Sequence, residues 1–237
     1  MVRFKVALAA VLLTAATGAG ATQFVVVDAK GEARDKLPAG SVVDDAVLDV
    51  PDHASVTLMS ASGQTIEVPG PHHGPVNAPS GGDPGLLQRL SSVMNDRPAS
   101  FGATRGGALK PAPAGKDVWA IDTTLAGTAC VFQGRAPTLW KPGSSDAVTG
   151  TITNDATKTQ APIAWPAGTA SIAWPDALPV AAGGYTVISS KGPQAITLKQ
   201  VQSAANEGQG AMIAAAAGCE RQAGDLLDYA QKHPLKP

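Results

Sequence analysis

Short runs of alternating apolar and polar residues, each closed by turn-forming residues, constrain this chain more than any other feature. In SVTLM (55–59), Val56 and Leu58 point one way while Ser55 and Thr57 point the other. In TIEV (65–68), Ile66 and Val68 oppose Thr65 and Glu67. Successive side chains leave an extended backbone on opposite faces, so these runs predict β-strands with one buried and one wet face. Ser60-Ala61-Ser62-Gly63 between them predicts the hairpin loop. Upstream, FVVVDAKGE is an apolar run that ends in a turn at residues 29–31. The stretch 24–76 therefore reads as successive short strands.

A second β-rich region begins at Asp117. Its candidate strands are VWAID, ACVFQ, PTLW, AVTGTIT, ASIAW, YTVIS and ITLKQV, and short strands with turn signals between them predict a sandwich. Within IAWPAGTASIAWP, Pro166 and Pro175 each remove a ladder donor, so this stretch reads as two strand ends joined by a short turn. Between the two regions, residues 77–83 form a loop, after which Asp83 can cap a helix that starts at Pro84. Leu86, Leu87, Leu90, Val93 and Met94 share one face of that helix, predicted over residues 84–95. Residues 102–116 (GATRGGALKPAPAGK) hold four glycines and two prolines with one large apolar residue and read as a linker. Limited proteolysis is expected to cut there first.

The tail, residues 203–233, is predicted helical. Asn206 and Gln209 form its start signal. Met212, Ala215, Cys219, Ala223, Leu226 and Ala230 fall on one stripe expected to face inward. Gly208, Gly210, Gly218 and Gly224 would each weaken such a helix by about 1 kcal/mol against Ala.

The first residues point to export. Arg3 and Lys5 precede an apolar stretch over residues 6–16, and Ala19-Gly20-Ala21 is a small-x-small cleavage site, so residues 1–21 read as a signal peptide. The alternative is a buried N-terminal helix. The apolar stretch is short of the roughly 20 residues a membrane span requires, and no span is expected in the mature chain. No cysteine stands at the cleavage point, so no lipid anchor is expected. In an oxidising compartment Cys130 and Cys219, the only two cysteines of the 237-residue chain, are expected to pair. A net charge of −1 with no Lys/Arg cluster speaks against nucleic acid and against an acidic membrane surface. Aromatic residues make up 4% of the chain, so the core must be built from Val, Ile, Leu and Ala.

The most enzyme-like patch is PGPHHGP (69–75). Proline fixes its own φ and holds the preceding residue extended, so the segment is a stiff exit from the strand ending at Val68. Adjacent side chains then diverge, and His72 and His73 cannot easily grip one metal; His53 and His233 would have to supply further ligands. The bland reading, a solvated strand end, is preferred. G-x-S-x-G, H-E-x-x-H, Walker and G-x-G-x-x-G signatures are missing from the sequence, and paired cysteines leave no thiol nucleophile. Trp119, Trp140, Trp165 and Trp174 all lie in the second region. Exposed, they could stack on sugars; the preferred reading is that they fill the sandwich core.

Three stretches, LPAGSVV (37–43), VLDVPDHASVTLMSASGQTIEV (47–68) and the following PGP, resemble the periplasmic FecR domain known from iron-dicitrate regulators. The resemblance covers residues 24–76 and implies an all-β signalling or interaction module without cofactors. Signalling members add a cytoplasmic anti-sigma segment and a membrane span, whereas this chain opens with a cleavable signal. SIAWPDALPVAAGGYTV (171–187) resembles, more weakly, immunoglobulin-like modules in which such Trp and Tyr residues join neighbouring strands. Neither resemblance carries over a functional residue.

The expected architecture is mainly β. A FecR-like domain spans residues 22–101, a linker 102–116, and an immunoglobulin-like sandwich with a packed C-terminal helix 117–237. The expected role is non-catalytic binding, scaffolding or regulation in the cell envelope, periplasmic or secreted, with an envelope protein or glycan as partner and no cofactor. The alternative is a carbohydrate-binding or hydrolytic envelope protein that uses His72, His73, Trp140, Trp165 and Trp174.

Overall fold

The alternating runs do become strands, and they divide among four sheets. The computed structural model describes residues 22–44, 48–77, 81–96, 116–190 and 192–234. The signal-peptide stretch and most of the Gly/Pro-rich linker lie outside the described residues.

The first region holds β1 (Gln23–Lys30), the short helix α1 (Ala33–Lys36), β2 (Val42–Asp44), β3 (Leu48–Val50), β4 (Ser55–Ser60), β5 (Thr65–Pro69) and β6 (His72–Gly74). Strands β2-β1-β4-β5 form one sheet, and β3 and β6 form a separate ribbon. The β4–β5 hairpin turns where the sequence predicts, with the Gly63 N–H donating to Ser60 O at 2.9 Å. On one side of the sheet, Phe24, Val26, Val56, Leu58, Ile66 and Val68 pack with Leu48 and Val50 of the ribbon.

The other side was expected to be wet, and it is not. Thr57 and Thr65 are buried, and β4 is buried along nearly its whole length. Val25, Val27 and Met59 on that side join a second core with three helices: α2 (Pro84–Asp96), α3 (Glu207–Ala216) and α4 (Glu220–Lys232). Thr65 Oγ1 donates to Ala230 O at 2.6 Å, so the helices satisfy the sheet's polar groups as they cover it. Glu67, half-exposed beside Lys30, and the partly buried Ser55 keep the wet character read for that face.

Helix α2 begins as expected: Asp83 Oδ1 accepts the Gly85 N–H at 2.8 Å, and Pro84 takes the first position. Leu87, Leu90 and Met94 of its apolar face are fully buried. Full burial of such a side chain contributes about 1.5–3 kcal/mol, enough to hold a helix of this length on the sheet.

The tail forms two helices where one was expected. Asn206 caps α3 by accepting the Gln209 N–H at 2.8 Å. The chain then breaks at Ala217-Gly218-Cys219, where Gly218 takes φ +76°, a left-handed conformation that ends a helix at little cost to glycine. All six residues of the predicted stripe are nonetheless buried.

The glycines of α3 are contact points as well as weak helix formers. A Cβ on Gly208 would overlap the backbone carbonyl of Gly63 at the tip of the β4–β5 hairpin, and one on Gly210 would overlap the Trp119 ring. Gly208→Ala therefore makes a discriminating test. Helix propensity alone favours Ala by about 1 kcal/mol, whereas overpacking against backbone costs about 1–3 kcal/mol. The variant is expected to unfold at lower denaturant concentration than the wild type. An unchanged or raised midpoint would show that hairpin and helix do not meet this closely.

The second region holds β7 (Ile121–Asp122), β8 (Gly127–Phe132), β9 (Thr138–Trp140), β10 (Val148–Asn154), β11 (Gln160–Trp165), β12 (Ser171–Ala173), β13 (Gly183–Ser189) and β14 (Gly192–Val201). A five-stranded sheet, β11-β10-β13-β14-β8, and a three-stranded sheet, β12-β9-β7, share one core. This is a sandwich-like arrangement, and the chain as a whole is mainly β. The β14–β8 pair is parallel. Pro162 sits in β11, an edge strand of its sheet, where a missing N–H is tolerated. The first expected strand, VWAID, is mostly a turn: only its last two residues are extended. The two AWP segments end strands of different sheets, so the turn between them carries the chain from one layer to the other.

The packing does not divide at the linker. Helices α3 and α4, placed by sequence in the sandwich unit, cover the sheet of the first region. The same core contains Val118, Cys130 and Phe132 of the second region. Asn206 Nδ2 donates to Ser62 O at 3.0 Å and Gln231 Nε2 to Val27 O at 3.2 Å, and both bonds cross from the tail to the first sheet.

Candidate functional site

The sequence-level candidates do not converge. His72 and His73 lie in β6, opposite Val50 and Asp49 of β3. The His72 ring contacts Gly74 O at 3.1 Å, and the His73 ring points outward, 3.6 Å from Asp49. Among the described residues, no group of three His, Cys, Asp or Glu side chains is placed to hold a metal ion. Replacing both histidines with alanine is expected to shift stability by no more than about 0.5 kcal/mol, the usual range for surface changes. Thermal melts with and without zinc check this; a zinc-dependent rise in wild-type Tm that the double variant lacks would contradict it.

Trp140, Trp165 and Trp174 are all buried. Trp165 and Trp174 belong to the sandwich core, where the Trp174 Nε1–H donates to Leu178 O at 2.7 Å and the ring meets Tyr185 edge-on at 5.2 Å. Their flat faces are covered by protein and offer no stacking platform, which corrects their candidacy as ligand contacts. In a chain so poor in aromatic residues, core filling takes them first.

Trp119, the fourth tryptophan, is different. Half-buried in the turn before β7, it borders a cleft of about 280 Å³ with Asp117, Ile121, Phe132, Arg135 and Pro137. Phe132 meets the indole edge-on at 4.9 Å, and the Arg135 guanidinium lies over the ring at 3.7 Å. Asp117 is held from two sides: Oδ1 accepts the Trp119 N–H and Oδ2 the Thr138 hydroxyl, both at 3.0 Å. Gln222 of α4 fixes the floor, with Oε1 accepting the Cys130 N–H at 2.8 Å and Nε2 donating to Trp119 O at 2.9 Å. Cys130 also lines the cleft, and its disulfide to Cys219 ties that wall to the start of α4. Hydrogen bonds and the disulfide tie the walls together, and Arg135 is exposed on the β8–β9 turn.

On the opposite side of this segment lies an ion cluster. The Lys116 side chain is 4% exposed, and its ammonium sits 2.7 Å from Asp225 and 3.3 Å from Asp122, and 4.6 Å from the centre of the Trp140 ring. Burial raises the Asp225 pKa above its ordinary 3.8, and the hydrogen bond and charge of Lys116 oppose that rise. The space beside the cluster, about 20 Å³, has room for a water and no more. This cluster joins the end of the linker to β7 and α4 and is structural.

Asp117, Arg135 and Lys116 were missed at the level of sequence. Nothing in their local pattern marks them; Asp117 meets Thr138 of β9, Arg135 meets Trp119 and Lys116 meets Asp225 of α4, partners not adjacent in the sequence. Comparison with models of known protein families and with curated proteins finds no match to this chain.

Proposed function

We propose that this chain is an exported, non-catalytic binding protein of the cell envelope, with the Trp119–Arg135 cleft as its ligand site. The observation that carries the reading is the cleft itself. It is a concave site with an aromatic wall, a guanidinium at the mouth and a carboxylate at one side, on a floor tied down by Gln222 and a disulfide. Apolar walls with a few placed polar groups are the usual composition of small-ligand sites. The disulfide and the leader-like first residues support export. Among the described residues, no helix is long and apolar enough to cross a membrane. The FecR-like resemblance of residues 24–76 belongs to the same proposal, as the module that would meet an envelope partner.

The test is calorimetric titration of the purified chain with a panel of small envelope components, amino acids and glycan fragments among them, followed by recovery of the ligand. Saturable binding with ligand recovered intact supports the reading. Recovery of a cleaved ligand would replace it with the hydrolytic alternative. Two alkylatable thiols in protein isolated from its native compartment would overturn export.

A further inference from the structure

Two opposite charges border the Trp119 cleft without meeting. Asp117 and Arg135 line the same cavity, yet they form no ion pair with each other, and Arg135 pairs with no carboxylate among the described residues. Arg135 is held over the indole with its guanidinium carbon 3.7 Å from the ring centroid, and no carboxylate among the described residues occupies the N–H groups with which a guanidinium grips such anions. Asp117 uses one lone pair on each oxygen for Trp119 and Thr138, so each oxygen retains a further acceptor position. The same cavity also has apolar lining, supplied by Ile121, Phe132 and Pro137. The volume, about 280 Å³, falls just below the common range of roughly 300–1,000 Å³ for ligand pockets and suits a molecule of amino-acid size.

We infer that the cleft takes a small zwitterion, an apolar α-amino acid whose carboxylate lies on Arg135, whose ammonium lies on Asp117 and whose side chain lies against Ile121 and Phe132. This deepens the binding reading above and rests on it. Charge complementarity at both ends selects the zwitterion over a simple anion or cation, because either alone leaves one charge of the cleft unmatched.

The experiment uses the whole mature chain and isothermal titration with leucine, methionine and phenylalanine, each also as the N-acetyl and the amide derivative. At least one free amino acid is expected to bind one-to-one, and each of its blocked forms to bind about tenfold more weakly or worse. Arg135→Gln is expected to abolish the preference for the free acid over the amide. Asp117→Asn, which keeps a carbonyl for the Trp119 N–H and an amide for Thr138, is expected to abolish the preference over the N-acetyl form. Thermal melts of both variants confirm that they fold. Equal binding of free and blocked forms overturns the zwitterion and leaves the cleft as a binding site. Binding of a glycan fragment but of no amino acid does the same. Absence of binding across both panels overturns this inference and the binding reading together.

Discussion

Reduction of the Cys130–Cys219 bridge is expected to loosen both β regions. The bridge closes a loop with a sequence separation of 89, for which chain-entropy estimates give about 4–5 kcal/mol. That is a large part of the roughly 5–15 kcal/mol that stabilises a whole domain. From sequence, the loss would fall on the sandwich and its helix and leave the N-terminal half folded. The packing changes that expectation. Cys219 begins α4, and α3 and α4 cover the second face of the β2-β1-β4-β5 sheet. Releasing the helices exposes Val25, Val27 and Met59 and leaves Thr65 without its partner at Ala230. The Cys130→Ala/Cys219→Ala variant is expected to melt about 8–20 °C below the wild type. Amides of β1 and β4 should lose hydrogen-exchange protection together with those of α3 and α4. Full protection of β1 and β4 alongside an opened tail would show that the first sheet is stable without its helices.

Lys116→Met is expected to be nearly as damaging, and to be damaging in a pH-dependent way. It strands Asp122 and Asp225 in a site where burial already disfavours charge. Breaking a buried pair by removing one partner costs about 3–5 kcal/mol, or at the lower end about 6–12 °C in Tm. The sign with pH follows from Asp225. Its pKa is raised on folding, so its contribution is fully present below the unfolded value of 3.8 and is lost as pH rises through the folded value. Removing Lys116 removes the influences that held this pKa down, and the folded value rises further. The stability deficit of the variant should therefore be largest near neutral pH and shrink as the buffer is taken down towards pH 4. Melts of both proteins across that range check it, and a deficit that stays constant with pH would mean that the cluster is solvated.

Much of this protein was legible in its sequence because local chemistry dictates it. Alternation sets which residues of β4 and β5 share a face. Asp83-Pro84 and Asn206 start helices whichever surface those helices meet, since their side chains satisfy backbone N–H groups a few residues away. The two cysteines, one in a strand and one on an inward stripe, had only each other. His72 and His73 diverge because neighbours on an extended backbone must. What periodicity does not specify is what lies on top of each face. The wet side of β4 is dry because helices from the other end of the chain cover it. Gly208 is a docking point only because the Gly63 turn arrives there. Lys116, read as the end of a linker, becomes a buried ion between two aspartates. Of four tryptophans, the one left on a cleft is the one packed against α3, with Arg135 over its ring. Each of these outcomes depends on contacts between residues far apart in the chain. Such contacts are decided by how whole faces pack, and the tertiary structure alone supplies that.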